Sequence, residues 1–189
     1  MTKAPKLDVY DTQLLVIDVQ VKLLPLIHGN DALVATCSRM IRAADVFALP
    51  ITMTEQYPQG LGRTHQTILD DLEKVKHARF EKMSFSGCGD RAVTDQLAAV
   101  GRRQILVCGI ESHVCVQQTT LDLLNLDFEV FVLADGVSSR SEFDYDIALL
   151  RMQQAGAVIT TSESVMFELC GLSGTDQFRR ILDIVKETT

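Results

Sequence analysis

Three side chains in this sequence have the types needed to pass a proton and attack a carbonyl. They are Asp18 at the end of LLVID, Lys82 in RFEKMSFSG, and Cys115 in LVCGIESHVCVQQTTLDLL. A carboxylate can take a thiol proton, and an ammonium can hold that carboxylate in place and offset its charge. Each alone is ambiguous, because aspartates cap helices, lysines are commonly exposed, and most cysteines are buried and inert. Cys115 reads as opening a helix, where unpaired backbone N–H groups and the positive end of the dipole favour thiolate and lower the thiol pKa. The other four cysteines read as structural: Cys37 on an inward helix face, Cys108 inside a strand, Cys88 in a Gly-rich turn and Cys170 at the end of a short helix.

The elements that must position these groups follow from apolar patterning. Short apolar runs at Gln13–Asp18, Pro50–Thr54, Gln104–Gly109, Phe128–Ala134 and Ala157–Thr160, with a weaker one at Arg79–Met83, read as strands. Helical spacing lies between them at Asp31–Phe47, Arg91–Val100, Val114–Leu124 and Phe143–Ala155, with Gly101 and Gly156 placed as C-terminal caps. Strands that are apolar throughout and alternate with helices predict a parallel sheet covered on both faces, an α/β fold. In such a sheet ligands bind beyond the carboxyl ends of the strands, which is where Asp18, Lys82 and Cys115 fall. The polar stretch Glu55–His65 is longer than a usual βα loop and reads as a lid or pocket wall. Gln177–Lys186 reads as a final amphipathic helix capped by Thr175 or Asp176.

Composition bounds the rest. The 189 residues are 47% hydrophobic and 23% charged, which suits one globular domain spanning 1–189. A formal charge of −7 works against nucleic acid and anionic lipid as partners. No apolar run approaches the ~20 residues that span a bilayer. Five cysteines without a C-x-x-C pair, and no leader-like segment, point to free thiols in the cytoplasm. A dinucleotide site would need G-x-G-x-x-G after the first strand, and VQVKLLPL stands there instead.

With LLVIDVQ, the lysine of EKMSFS and above all GIESHVCVQQTTLDL, the chain resembles the isochorismatase-like hydrolases, which include nicotinamidases and N-carbamoylsarcosine amidases. The likeness covers roughly Leu14–Thr161 and is strongest for the small single-domain group. It implies a doubly wound, Rossmann-like sheet of six parallel strands with helices on both faces, and an Asp18, Lys82, Cys115 triad. It also implies a non-proline cis peptide between Ile110 and Glu111, with the N–H groups of Glu111 and Cys115 as oxyanion donors, and assembly into a homo-oligomer. The expected activity is hydrolysis of a C–N bond in a small amide or carbamoyl compound through a thioester.

Departures from the family pattern narrow this further. Nicotinamidases carry Asp-x-His after the second strand to hold a metal, whereas this chain has Glu55-Gln56-Tyr57, with His65 distant. That set is too poor for a closed metal site, so neither metal nor any other cofactor is expected. True isochorismatases cleave a vinyl ether by acid chemistry without the thiol, and that reaction, or an idle scaffold of the same fold, remains the alternative. Gln20 either contacts substrate or orders a loop. Tyr57 and Phe85 are candidates to line a small pocket and His113 to border it, while His28 and His77 read as surface or cap residues.

Overall fold

The computed structural model describes residues 5–187, so residues 1–4 and 188–189 of the expected single domain lie outside the described residues. The sheet contains β1 (Thr12–Ile17), β2 (Ile51–Gln56), β3 (His77–Lys82), β4 (Gln104–Ile110), β5 (Glu129–Ser138) and β6 (Val158–Thr160). All pairings are parallel, in the order β3-β2-β1-β4-β5-β6. Around it lie α1 (Asn30–Val46), α2 (Pro58–Leu61), α3 (Gln66–Leu72), α4 (Arg91–Ala99), α5 (Gln117–Asn125), α6 (Glu142–Gln154), α7 (Ser162–Cys170) and α8 (Asp176–Lys186). This is the doubly wound α/β fold.

The apolar run of β1 explains why helices must cover both faces. Successive side chains of a strand point to opposite sides. Leu14 and Val16 enter a core shared with α1, α3, α7 and α8, whereas Leu15 and Ile17 enter one shared with α4, α5 and α6. Truncating Leu15, which has no exposed surface, should cost about 2–5 kcal/mol. The winding reverses between β1 and β4, so the crevice beyond their carboxyl ends is the switch point where such sheets bind ligands.

Several boundaries differ from the sequence expectation. β2 runs two residues past Thr54, through Glu55 and Gln56, and both of these polar residues are buried. The expected helix at Val114–Leu124 is instead a π-helical turn, Ser112–Val116, followed by α5. The stretch Glu55–His65 is not a free lid. Backbone bonds pin it to the segment after β1, from Val21 N to Arg63 O (3.0 Å), Lys22 N to Leu61 O (3.2 Å) and His65 N to Val19 O (2.8 Å). It is therefore tied to the chain that follows β1. Of the two candidate caps for α8, Thr175 serves, its hydroxyl accepting from Phe178 N at 3.0 Å. Among the described residues no helix is long and apolar enough to cross a membrane.

Candidate active site

The backbone at the switch point is shaped by a few local features. Asp18, just past β1, has a left-handed φ of 52°, a conformation that aspartate tolerates better than most side chains. Its N–H donates to Thr54 O at 3.1 Å, which ties the turn to β2. On the other side, Gly109 in β4 has φ 124°, and a Cβ there would lie 2.0 Å from the carbonyl oxygen of Ile17. Only glycine lets β4 approach the end of β1 so closely. The β4–β5 register shifts between Val107 and Gly109, the Ile110–Glu111 peptide is cis, and the π-helical turn follows. These steps carry Cys115 to the side of Asp18.

The side chains form one buried polar cluster. Lys82 Nζ donates to Asp18 Oδ2 at 2.6 Å, and neither side chain has exposed surface. The ammonium also donates to Ser84 O (3.1 Å) and Phe85 O (3.0 Å), so its three protons are all engaged. Asp18 Oδ1 accepts from Thr54 Oγ1 at 2.7 Å. Lys82 stands on the edge strand β3 in register with Gln56, and its long stem crosses β2 to reach Asp18.

Cys115 Sγ donates to Gln56 Oε1 at 3.0 Å, and Asp18, Lys82 and the Glu111 N–H lie near enough to act on the thiol electrostatically. Its pKa is pushed up to about 12, first by burial and then by the negative charge of Asp18; Lys82 and the Glu111 N–H pull it down but do not prevail. This corrects the expectation of a lowered pKa. The dipole argument assumed an open helix start, but Cys115 lies inside the π-helical turn with only 5% exposure, where desolvation dominates. The resting sulfur is a thiol that must give up its proton to a neighbour before it can attack.

The remaining expected residues divide. Gln20 is buried and spends its amide on backbone, donating to Gln56 O (3.0 Å) and Gly62 O (2.6 Å) and accepting from Gln56 N (2.8 Å). These bonds hold the loop, which is the anchoring role of the two that the sequence left open. Tyr57 and Phe85 are half exposed, and Phe85 meets the cluster through its carbonyl. His113 Nδ1 pairs with Ser139 Oγ at 2.9 Å. The Glu111 side chain turns away to Arg140, Oε1 to Nε 2.7 Å.

Glu55 is fully buried and saturated. Thr64 donates to it twice at 2.6 Å and Arg79 once at 2.5 Å. Burial pushes its pKa up, but the Thr64 bonds and Arg79 outweigh that and hold it below the usual carboxylate range. Among the described residues no group of three or more His, Cys, Asp or Glu side chains is arranged to hold a metal ion.

Sequence reasoning passed over Thr54 and Gln56. Gln56 ends β2 as Asp18 follows β1, so the strand-end rule would have found it had the strand not been cut short at Thr54.

Known proteins share this arrangement of elements. Residues 12–164 match the family model for the isochorismatase domain. Isochorismatase domain-containing protein 2 of Xenopus laevis is 37% identical over 183 residues, covering 96% of this chain and 87% of that protein. Isochorismatase domain-containing protein 1 of Salmo salar is 37% identical over 169 residues, covering 89% of this chain, which spans only 59% of that relative's length. Among solved structures, the MAR1 ribonuclease from Caenorhabditis elegans superposes with a TM-score of 0.91 at 36% identity, covering 96% of this chain and 93% of that one. The matched segment holds all six strands and the whole buried cluster, and the chain belongs to the isochorismatase family of hydrolases.

Proposed function

We propose that this protein is a cysteine-dependent hydrolase that cleaves a C–N bond in a small amide or carbamoyl compound. The observation that supports it is the buried Cys115 thiol beside the Lys82–Asp18 ion pair. Asp18 takes the thiol proton as Sγ bonds to the carbonyl carbon, and the electron pair of the C=O moves onto oxygen. The N–H groups of Glu111 and Cys115 stabilise that oxyanion. The C–N bond then breaks, the nitrogen leaves with the proton from Asp18, and a thioester remains. Water, deprotonated by Asp18, attacks the thioester, and the acid departs as the thiol regains its proton. Lys82 keeps Asp18 in place throughout. The scheme uses no cofactor.

A pKa of about 12 suits this order of events. A thiol that ionised freely would leave Asp18 no proton to relay, whereas a neutral thiol couples its ionisation to substrate arrival. Tyr57, Phe85 and His113 stand as the residues lining the approach. The C. elegans neighbour is described as a ribonuclease, but a formal charge of −7 disfavours a phosphate backbone, and we do not extend that activity to this chain. Five free thiols support a reducing, cytoplasmic setting. Self-association into a homo-oligomer is part of the same reading, supported by Phe143, Ile147 and Leu150, which α6 leaves exposed at helical spacing.

The test is intact-mass analysis after incubation with small amides and carbamoyl compounds. An acyl adduct that is absent in Cys115→Ala is expected. Cleavage of a vinyl ether added to the panel that survives Cys115→Ala would favour acid chemistry by Asp18, and silence in both proteins would favour an idle scaffold.

A further inference from the structure

We infer that Gln56 makes this site choose amides over esters, its side-chain oxygen acting as a fixed acceptor for an N–H on the carbon that Cys115 attacks. The inference rests on Cys115 being the nucleophile. It begins with how firmly Gln56 is held. Its backbone N–H and C=O are both bonded to the Gln20 amide, at 2.8 and 3.0 Å, and Gln20 is itself anchored to Gly62 O at 2.6 Å. The side chain is fixed as well. Nε2 lies 3.4 Å from Met83 O, a carbonyl that can only accept, so the amide nitrogen must face it and the oxygen must face the sulfur. A flipped amide would set two acceptors against each other.

In the resting protein the thiol proton satisfies Oε1 at 3.0 Å. When that proton passes to Asp18, Oε1 loses its donor and faces a thiolate, in a residue only 8% exposed. A buried acceptor without a donor is costly. An electrophilic carbon bonding to Sγ brings its substituents within two bonds of the sulfur, into the space that Oε1 already reaches. An N–H there replaces the lost donor. An ester oxygen there turns a lone pair toward Oε1 and leaves it unsatisfied. Primary and secondary amides, ureas and carbamoyl groups carry the required N–H; esters do not. Sites that hydrogen-bond a substrate N–H reject analogues lacking it far more strongly than apolar pockets reject a missing methylene.

The experiment compares wild type, Gln56→Met and Gln56→Glu on matched pairs: acetamide with methyl acetate, propionamide with methyl propionate, and benzamide with methyl benzoate. kcat/KM is followed by ammonia or methanol release, and Cys115 is separately labelled with methyl methanethiosulfonate. Gln56→Met removes the acceptor with little change in shape. It should lower the amide-to-ester ratio about 10- to 100-fold, hold the ester rate within about threefold, and leave labelling as fast or faster. Gln56→Glu keeps an acceptor toward the sulfur but sets an oxygen against Met83 O, so it should lower both rates while holding the amide-to-ester ratio above that of Gln56→Met. Amide and ester rates falling in parallel in Gln56→Met would mean that Gln56 only supports the fold, and would overturn the proposal. So would an unchanged ratio, or a wild type that hydrolyses the esters and not the amides. If no pair acylates Cys115, the nucleophile assignment fails and this inference falls with it, an outcome distinct from acylation with an unaltered ratio.

Discussion

Two fully buried carboxylates, Asp18 and Glu55, stand at the carboxyl ends of the neighbouring strands β1 and β2, and each takes a cation from β3. Glu55 is closed off. Both of its oxygens are occupied by Thr64 and Arg79, which is itself 43% exposed, and the result ties the β2 loop to the sheet. Asp18 has a buried ammonium, one hydroxyl and a thiol that still carries its proton. Burial and pairing with a cation are therefore no mark of chemistry by themselves. What separates the two sites is whether a neighbour has a proton to exchange.

The strongest test of that contrast is to remove the exchange. Cys115→Ala and Asp18→Asn should each lower turnover of a small amide by roughly a thousandfold or more, read as ammonia release, because members of a nucleophile–base unit fail together. A Glu55→Gln protein that lost activity equally, once corrected for the folded fraction, would erase the distinction.

Stability should separate the two pairs next. Lys82→Met takes the cation away from the buried Asp18 carboxyl, which should cost about 3–5 kcal/mol in urea unfolding. Adding Asp18→Asn to Lys82→Met should recover much of that loss while activity stays absent. Glu55→Gln keeps the volume but weakens the Thr64 and Arg79 bonds, so about 1–3 kcal/mol is expected.

The two sites should also fail at opposite ends of the pH scale. Glu55 has a lowered folded-state pKa, so its contribution is present above the unfolded value and is lost as pH falls through the folded one. The stability gap between wild type and Glu55→Gln should close in acid. Cys115 has a raised value, so the folded protein binds more protons than the unfolded chain between the ordinary thiol value of 9.0 and about 12, and stability falls as pH rises through that window. Wild type should lose more stability there than Cys115→Ala, a small effect read by paired urea titrations at successive pH values.

Asp18 and Cys115 were legible in the sequence because each sits next to a strongly patterned element, and the strand-end rule needs only that pattern. Lys82 was legible as a candidate, but its reach was not, since order along the chain does not say that β3 lies beyond β2 with Lys82 level with Gln56. Gln56 was hidden by its own polarity. A strand is expected to stop where apolar residues stop, yet β2 continues because Gln20, Thr64 and Arg79 supply partners for Glu55 and Gln56. Gln20 itself was ambiguous until the loop it ties was seen in place.

What the amino-acid order determined alone is the alternation of apolar strands and amphipathic helices, hence a parallel sheet buried on both faces and the short list of residues at its carboxyl edge. Those properties are local and repeat with the period of the backbone. The folded arrangement decided which of them meet, which glutamine faces the sulfur, and that the thiol keeps its proton at neutral pH. Desolvation and Coulomb interaction depend on distance through space, and here Cys115 meets Gln56, 59 residues away, together with Asp18 just past β1 and Lys82 on β3.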